Sequence, residues 1–132
     1  MLRVLVSLCI IVSCLFSTDT YFSDFNTALA KAKQENKLVM LTVVSTNCPW
    51  CKRFKTETLN DSEVSKVMKQ DFVFVVLNRD TQEIPVQFKS RLVPTTFFLN
   101  SSGQKITTQA VGYFDAVDFM DFLVDAIKKG KK

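Results

Sequence analysis

The apolar positions of the chain fall into runs that predict four strands. Leu38–Val44 and Phe72–Leu77 are nearly continuous apolar stretches rich in valine, a pattern typical of strands buried on both faces of a parallel sheet. Thr95–Leu99 and Lys105–Val111 indicate two further strands, joined by a turn in which Gly103 supplies a permissive backbone position. Pairing of these last two strands as a hairpin would give the sheet an antiparallel edge.

Segments with apolar residues at helical spacing separate the strands. The first predicted helix is capped by Ser23, has an apolar face that includes Phe25 and Leu29, and ends near Asn36. The second begins at Pro49, whose missing N–H suits a first helical turn, and continues to about Leu59. A short helix is predicted from Asn60 through Met68, and a helical turn within 81–91, whose length Pro85 limits. A last helix is capped by Asp115, and its tail from Lys128 onwards is expected to be frayed.

The order of these elements predicts an α/β fold. Strand–helix–strand units pair in parallel through a right-handed crossover, and the late hairpin adds antiparallel pairing. We therefore expect a three-layer α/β/α sandwich with a mixed central sheet, formed as one domain by residues 18–132.

The N-terminal residues have the pattern of a targeting segment rather than of a core element. Arg3 gives a short positive region, Val4–Val12 is an apolar run too short to span a bilayer, and small and polar residues follow. This pattern predicts a signal peptide over residues 1–17 and export to the periplasm or another extracytoplasmic space. The segment 11–14 also resembles a bacterial lipobox, so the alternative is a lipoprotein signal that ends before Cys14 and a lipid anchor on that cysteine.

Composition narrows the chemistry that the domain can perform. The 17 lysines and arginines outnumber the 13 acidic residues, but they are scattered, whereas nucleic-acid binding calls for a concentrated basic stripe. The absence of histidine excludes His-based triads and His metal ligands. Of the four cysteines, Cys9 and Cys14 lie in the targeting segment, which leaves only Cys48 and Cys51 for the folded domain. We expect no nucleic-acid partner and no cofactor.

The segment Cys48-Pro49-Trp50-Cys51 carries the candidate chemistry. Cys48 precedes the first turn of the second predicted helix, where unpaired N–H groups and the helix dipole favour a thiolate and lower the pKa of the thiol. Cys51 lies one turn further in, where we expect it to be shielded. The Cys48 thiolate would attack a substrate disulfide, and Cys51 would resolve the resulting mixed disulfide. Pro49 and Trp50 would tune the reduction potential by altering thiolate stability.

Other uses of the Cys pair stay open at this stage. A zinc or iron–sulfur site usually needs four ligands, so it would have to be shared between two chains. Covalent haem attachment requires histidine after the second cysteine, where Lys52 stands. A purely structural bridge over so short a loop removes little chain entropy. Two thiolates do suit copper(I), so the main alternative is a non-enzymatic soft-metal binding or assembly module.

The chain after the targeting segment resembles the thioredoxin superfamily. The resemblance rests on the buried strand that leads into residues 48–51, on Val93-Pro94-Thr95 at the start of the third strand, and on Gly112 before the last helix. The segments 59–64, 72–78 and 93–99 are similar to those of exported thioredoxin-like proteins of the SoxW type and of thioredoxin domains linked to the disulfide-reducing DsbD system.

This resemblance implies further properties of the site. It implies a cis peptide bond before Pro94, packing of Pro94 beside the Cys pair, and pairing of the Val93 backbone with an extended substrate segment. It further implies disulfide exchange with protein substrates, with reduction favoured over oxidation, and a membrane electron donor. Trp50 would contribute to substrate binding, together with a surface that includes Tyr113 and one residue of the Phe97–Phe98 pair, the other being core.

Two positions depart from the thioredoxin pattern. Asn47 stands before Cys48, where thioredoxin has tryptophan. Thr42 stands where thioredoxin has a buried aspartate beneath the second cysteine. The carboxylate thought to help deprotonate the resolving thiol is therefore missing, and another group must take over its role.

Overall fold

One mixed sheet of four strands organises the protein. The structure, a computed structural model, describes residues 21–131, so the predicted signal segment and the cysteines at positions 9 and 14 lie outside the described residues. The strand order in the sheet is β2-β1-β3-β4; β1 is parallel to β2 and antiparallel to β3, and β4 is antiparallel to β3. The strands are β1 (Leu38–Val44), β2 (Phe72–Asn78), β3 (Thr95–Leu99) and β4 (Ala110–Val111).

The helices alternate with the strands much as the apolar spacing indicates. They are α1 (Phe25–Glu35), α2 (Pro49–Arg53) continued by a π-helical segment (Phe54–Leu59), α3 (Ser62–Asp71), a 3₁₀ turn (Val86–Phe88) and α4 (Ala116–Gly130). None of the helices within residues 21–131 is long and apolar enough to cross a membrane.

Alternating side chains of β1 divide the core into two halves. Val39 and Leu41 pack on the face covered by α1 and the 3₁₀ turn, together with Phe88. Met40 packs on the opposite face against apolar side chains of α3, α4 and the π-helical segment, which include Phe119 of α4. Because helices cover both faces, β1 is apolar at nearly every position. The predicted three-layer α/β/α sandwich is confirmed.

Two helices begin one residue later than the sequence analysis predicts. Asp24, and not Ser23, caps α1, because its carboxylate accepts a 2.7 Å hydrogen bond from the backbone N–H of Thr27. Asp61, and not Asn60, caps α3 by accepting from two backbone N–H groups at 3.0 and 3.1 Å. A carboxylate is favoured at these positions because it also interacts with the positive end of the helix dipole. The same helix continues past the predicted end to residue 71.

The predicted fourth strand is wrong over most of its length. Only Ala110–Val111 pairs with β3, while Lys105 forms a single bridge with Leu99. Between these points the chain leaves the sheet edge, and the hydroxyl of Thr107 donates to Asp125 of α4. A side-chain hydrogen bond to α4 therefore replaces the strand pairing that the sequence analysis predicts.

The predicted fraying of the C-terminal tail is also wrong for residues 128–131, whereas residue 132 lies outside the described residues. Helix α4 continues through Gly130, and Lys131 forms an ion pair with Asp71 at the end of α3. Gly130 lies so close to Leu38 that a Cβ atom at this position would be 2.6 Å from its Cδ2 atom. The end of α4 is thus ordered by packing and by charge, neither of which the sequence pattern shows.

The turn after β3 allows a direct test of the fold. Gly103 has a φ of +83° and lies against Phe25 of α1, so that an added Cβ would be 3.3 Å from the ring of that residue. We expect Gly103→Ala to lower the free energy of unfolding by about 1–2 kcal/mol, because alanine is strained at positive φ. Chemical denaturation measures this change. Ser102→Ala, an exposed control in the same turn, should leave the stability unchanged, and equal stability of both variants would contradict the account.

Candidate active site

Cys48 and Cys51 lie together at the start of a helical stretch, as the sequence analysis predicts. Cys48 is the N-cap of α2 and Pro49 is the first helical residue. The two cysteines form a disulfide with a Cα–Cα distance of 5.2 Å, and the backbone N–H of Cys51 donates to Cys48 Sγ at 3.0 Å. Both residues are half-buried, so the expected shielding of Cys51 is only partial in this disulfide form.

This geometry favours a nucleophilic sulfur at position 48. A helix N-terminus has N–H groups without partners inside the helix, and its dipole stabilises negative charge. The N–H of Cys51 already points at Cys48 Sγ, so it would donate to a thiolate formed there when the disulfide is reduced. Lys52 follows in the same helix and adds positive charge. The arrangement suits thiolate attack on a disulfide.

A second segment forms the opposite wall of the site. The Val93–Pro94 peptide bond is cis, which confirms the expectation drawn from the resemblance, and Pro94 is buried. The carbonyl oxygen of Val93 lies 3.9 Å from Cys48 Sγ. The N–H of Gly112 donates to the carbonyl oxygen of Pro94 at 2.7 Å, so the loop after β4 is joined to the same wall. Residues far apart in sequence thus meet at Cys48.

A pair of buried hydroxyls lies in the sheet beneath the Cys pair. Thr42 is 1% exposed, and its Oγ1 atom is 2.9 Å from Oγ1 of Thr96 on the neighbouring strand. Thr42 also lines, with Cys48 and Cys51, a cleft of about 980 Å³ that continues along the edge of β2. The position that would hold a carboxylate in thioredoxin therefore holds a neutral hydrogen-bonded pair.

Trp50 is exposed beside the Cys pair, as predicted, and it belongs to an aromatic and charged cluster. Its side chain is 53% exposed, and its ring centroid lies 5.4 Å from that of Tyr113. The guanidinium of Arg53 lies over both rings, and its Nε atom is 2.9 Å from each carboxylate oxygen of Glu57. The hydroxyl of Tyr113 donates to the same carboxylate at 2.7 Å.

The charges of this cluster stabilise one another. The hydrogen bonds from the Tyr113 hydroxyl and from Arg53 lower the pKa of Glu57 below its usual value. The pKa of Tyr113 is raised, chiefly because its proton is donated to Glu57, and the pKa of Arg53 is raised by the same carboxylate. At neutral pH the cluster therefore holds an ionised carboxylate, a charged guanidinium and a protonated phenol.

The sequence analysis groups Trp50 with Tyr113, which the structure brings into ring contact, but it missed Arg53 and Glu57. The spacing of Arg53 and Glu57, four residues apart on one helix, is a recognisable ion-pair signal. Tyr113 is separated from Glu57 by 56 residues, and only the folded chain brings them together. A further contact of the same kind is the 2.6 Å hydrogen bond from the hydroxyl of Thr58, in the π-helical segment, to the carbonyl of Phe114.

The predicted contribution of the Phe97–Phe98 pair to a substrate surface is wrong. Phe97 is 2% exposed and Phe98 is fully buried, because β3 lies inside the sheet with helices on both faces. The exposed apolar side chains near the site instead belong to Trp50, to Leu92 (60% exposed) and to Val111 (42% exposed). Leu92 immediately precedes the wall formed by residues 93 and 94.

Among residues 21–131, no cluster of three or more Cys, Asp or Glu side chains is arranged to hold a metal ion. In the reduced form, the two sulfurs of Cys48 and Cys51 stay the candidate ligands for a soft metal ion.

Comparison with known families and proteins adds to this geometry. The family model described as the thioredoxin-like domain matches residues 25–127. Spermatogenesis-associated protein 20 of Homo sapiens is 34% identical over 53 residues, and its Mus musculus counterpart is 32% identical over the same length. These matches cover 40% of this chain but only 7% of those proteins, so the chain corresponds to a small part of the curated relatives.

Solved structures resemble the chain over most of its length. A thioredoxin from Thermus thermophilus has a TM-score of 0.75 and 24% identity, covering 86% of this chain and 91% of that one. The oxidised C-terminal domain of DsbD from Neisseria meningitidis has a TM-score of 0.66 and 23% identity, covering 81% and 99%. The periplasmic thioredoxin SoxS from Paracoccus pantotrophus has a TM-score of 0.56 and 15% identity, covering 70% and 98%. At these identities the likeness establishes the fold.

Proposed function

Because this chain belongs to the thioredoxin-like domain family, we propose that it is a thiol–disulfide oxidoreductase that exchanges disulfides with proteins and acts mainly as a reductant. One observation carries the proposal above all. At the start of the helix, Cys48 Sγ accepts a hydrogen bond from the backbone N–H of Cys51 and lies 3.9 Å from the carbonyl oxygen of Val93. A nucleophile, its resolving partner and a backbone edge for substrate are thus assembled at one point.

The reaction follows from the positions of the two sulfurs. In the reduced protein the Cys48 thiolate attacks one sulfur of a substrate disulfide, the substrate S–S bond breaks, and the released substrate thiolate takes up a proton. Cys51, deprotonated, then attacks Cys48 Sγ and breaks the mixed disulfide. The second substrate thiol leaves, and the Cys48–Cys51 disulfide forms. Two electrons and two protons pass to the substrate, so a thiol-based donor must reduce the pair again.

The walls of the site suit an extended polypeptide. The backbone of Val93 would pair with a substrate segment in the manner of a short added strand, while buried Pro94 packs beneath it and Trp50 contributes exposed aromatic surface on the other side. Pro49 and Trp50, which lie between the two cysteines, would tune the reduction potential through the stability of the Cys48 thiolate. The exposure of Trp50 and the burial of Pro94 support these roles.

We propose that the reaction takes place outside the cytoplasm. The pattern of residues 1–17 favours a signal peptide, with lipidation of Cys14 as the alternative that would anchor the protein to a membrane. The likeness to the DsbD domain and to periplasmic SoxS supports the same compartment. A membrane reductase is then a suitable electron donor. N-terminal mass spectrometry of the mature protein distinguishes cleavage near residue 17 from lipidation at residue 14.

The reduction potential tests the direction of exchange. We expect the Cys48–Cys51 pair to equilibrate near −270 mV, roughly the value of a reducing thioredoxin, and the reduced protein to cleave the interchain disulfides of insulin. Equilibration with a glutathione buffer series, read by thiol alkylation, gives the potential. A value near roughly −120 mV, typical of a strong oxidant, would contradict the reductive role. Tight copper(I) binding without any insulin reduction would favour the soft-metal module instead.

A further inference from the structure

We propose that Arg53, Glu57 and Tyr113 form a clamp that positions Trp50, and that this clamp sets the affinity for polypeptide substrates without taking part in the exchange of disulfides. The inference rests on the proposed function, because it concerns recognition at the same site. The three residues of the clamp are positioning residues, since they act on the substrate through the indole of Trp50.

Stacking holds the indole in place. The guanidinium carbon of Arg53 lies 5.4 Å from the ring centroid of Trp50 and 5.1 Å from that of Tyr113. The two rings are themselves 5.4 Å apart and inclined by 43°. A guanidinium within about 6 Å of an aromatic ring is attracted by the electrons of its face. Arg53 therefore contacts both rings at once and restrains the exposed indole of Trp50.

A network of hydrogen bonds fixes the cation in turn. Arg53 reaches both oxygens of Glu57 at 2.9 Å, and the Tyr113 hydroxyl donates to the same carboxylate at 2.7 Å. A single exposed ion pair contributes little, but here one carboxylate orders both the cation and the phenol. Arg53 and Glu57 lie on the helical stretch that begins at the Cys pair, whereas Tyr113 lies on the loop before α4. The clamp therefore links two separate segments.

The linked segments are the two walls of the site. The residue before Tyr113 is Gly112, whose N–H donates to the carbonyl of Pro94 at 2.7 Å, and the carbonyl of Val93 is 3.9 Å from Cys48 Sγ. A chain of contacts thus extends from the indole through the clamp to the substrate-pairing edge. The hydrogen bonds that Arg53 and Tyr113 donate within the clamp go to the Glu57 carboxylate and not to a cysteine sulfur, so the clamp is separate from the reacting atoms.

Steady-state kinetics of Arg53 variants test the clamp. In Arg53→Ala we expect the KM for a polypeptide disulfide such as insulin to rise about threefold. The loss of a cation–π contact at an exposed site changes a binding constant by about this factor. The kcat value, and the rate with a small aromatic disulfide that has no polypeptide backbone, should stay unchanged. Arg53→Lys keeps the charge but loses the planar double contact, so it should behave like the alanine variant. Tyr113→Phe, which retains the ring, should have a smaller effect.

Trp50 provides a second, independent measurement, because it is the only tryptophan of the chain. Acrylamide quenching of its fluorescence should increase in both Arg53 variants and stay unchanged in Lys66→Ala, an exposed control on α3. If the wild type is active and both Arg53 variants keep its KM and its quenching, the clamp alone is refuted. A lysine variant that matches wild type would assign the effect to charge and also refute it. A wild type that reduces neither substrate would refute the proposed function, and the inference with it.

Discussion

Replacement of Cys48 by serine is expected to reduce disulfide exchange to the uncatalysed background, a loss of at least about a thousandfold. A serine hydroxyl at the same helix start stays protonated at neutral pH, so neither the stabilising N–H of Cys51 nor the helix dipole can generate a comparable nucleophile. Reduction of insulin under steady-state conditions measures the change. Activity of Cys48→Ser above a few per cent of wild type would contradict the assignment of the nucleophile.

Cys51→Ser is the matched variant, and it should fail in a different way. The Cys48 thiolate is still able to attack a substrate, but no second sulfur is present to resolve the product. The variant should therefore accumulate mixed disulfides on Cys48, visible as reductant-sensitive adducts on non-reducing gels and identifiable by mass spectrometry. The double variant Cys48→Ser/Cys51→Ser should form none. Equal trapping by Cys48→Ser and Cys51→Ser would contradict the division of roles that the helix-start geometry indicates.

Thr42→Asp is expected to destabilise the folded protein by roughly 3–5 kcal/mol at pH 7, the cost of a buried carboxylate without a cation. Thr42 is 1% exposed and bonds only to another hydroxyl, so burial raises the pKa of the new carboxyl above its ordinary value of about 3.9. The folded state then binds a proton more readily than the unfolded state. The penalty is complete above the raised pKa and decreases as the pH falls below it.

The pH dependence separates this effect from simple damage to the core. Urea denaturation at pH 7 and at pH 5 should show the deficit of Thr42→Asp, relative to wild type, becoming smaller in acid. Thr42→Val removes the same hydroxyl without adding a charge, leaves Thr96 without its partner, and should cost about 1–3 kcal/mol at both pH values. A pH-independent deficit of Thr42→Asp would contradict the buried-charge explanation and assign the loss of stability to steric damage in the core.

Local chemistry explains what the sequence predicted correctly. The strands β1 and β2 are apolar at almost every position because both of their faces are covered, and Pro49 fixes the start of the helix that carries the Cys pair. Asp115 caps α4 as predicted. Each of these features is specified by neighbouring residues, so a pattern of a few positions is enough. The cis peptide before Pro94 was different, since it followed from the family resemblance and not from the local pattern.

Long-range packing explains the errors. On a strand with one covered face, one of Phe97 and Phe98 would be exposed and the other buried. Helices cover both faces of β3, so both rings lie in the core. The residues 105–109 are predicted as part of a strand, yet the hydroxyl of Thr107 bonds to α4 instead. The Tyr113–Glu57 contact joins positions 56 residues apart. None of these outcomes is encoded by spacing along the chain.

The most direct test of the account is the pH dependence of alkylation of Cys48 in the fully reduced protein. The N–H of Cys51 and the helix start should hold the sulfur as a thiolate, so the rate with iodoacetamide should reach half of its plateau well below about pH 8.5, where an ordinary thiol titrates. Peptide mapping should assign the modification to Cys48 before Cys51. A half-point at or above about pH 8.5, or preferential modification of Cys51 in the folded protein, would contradict the central claim.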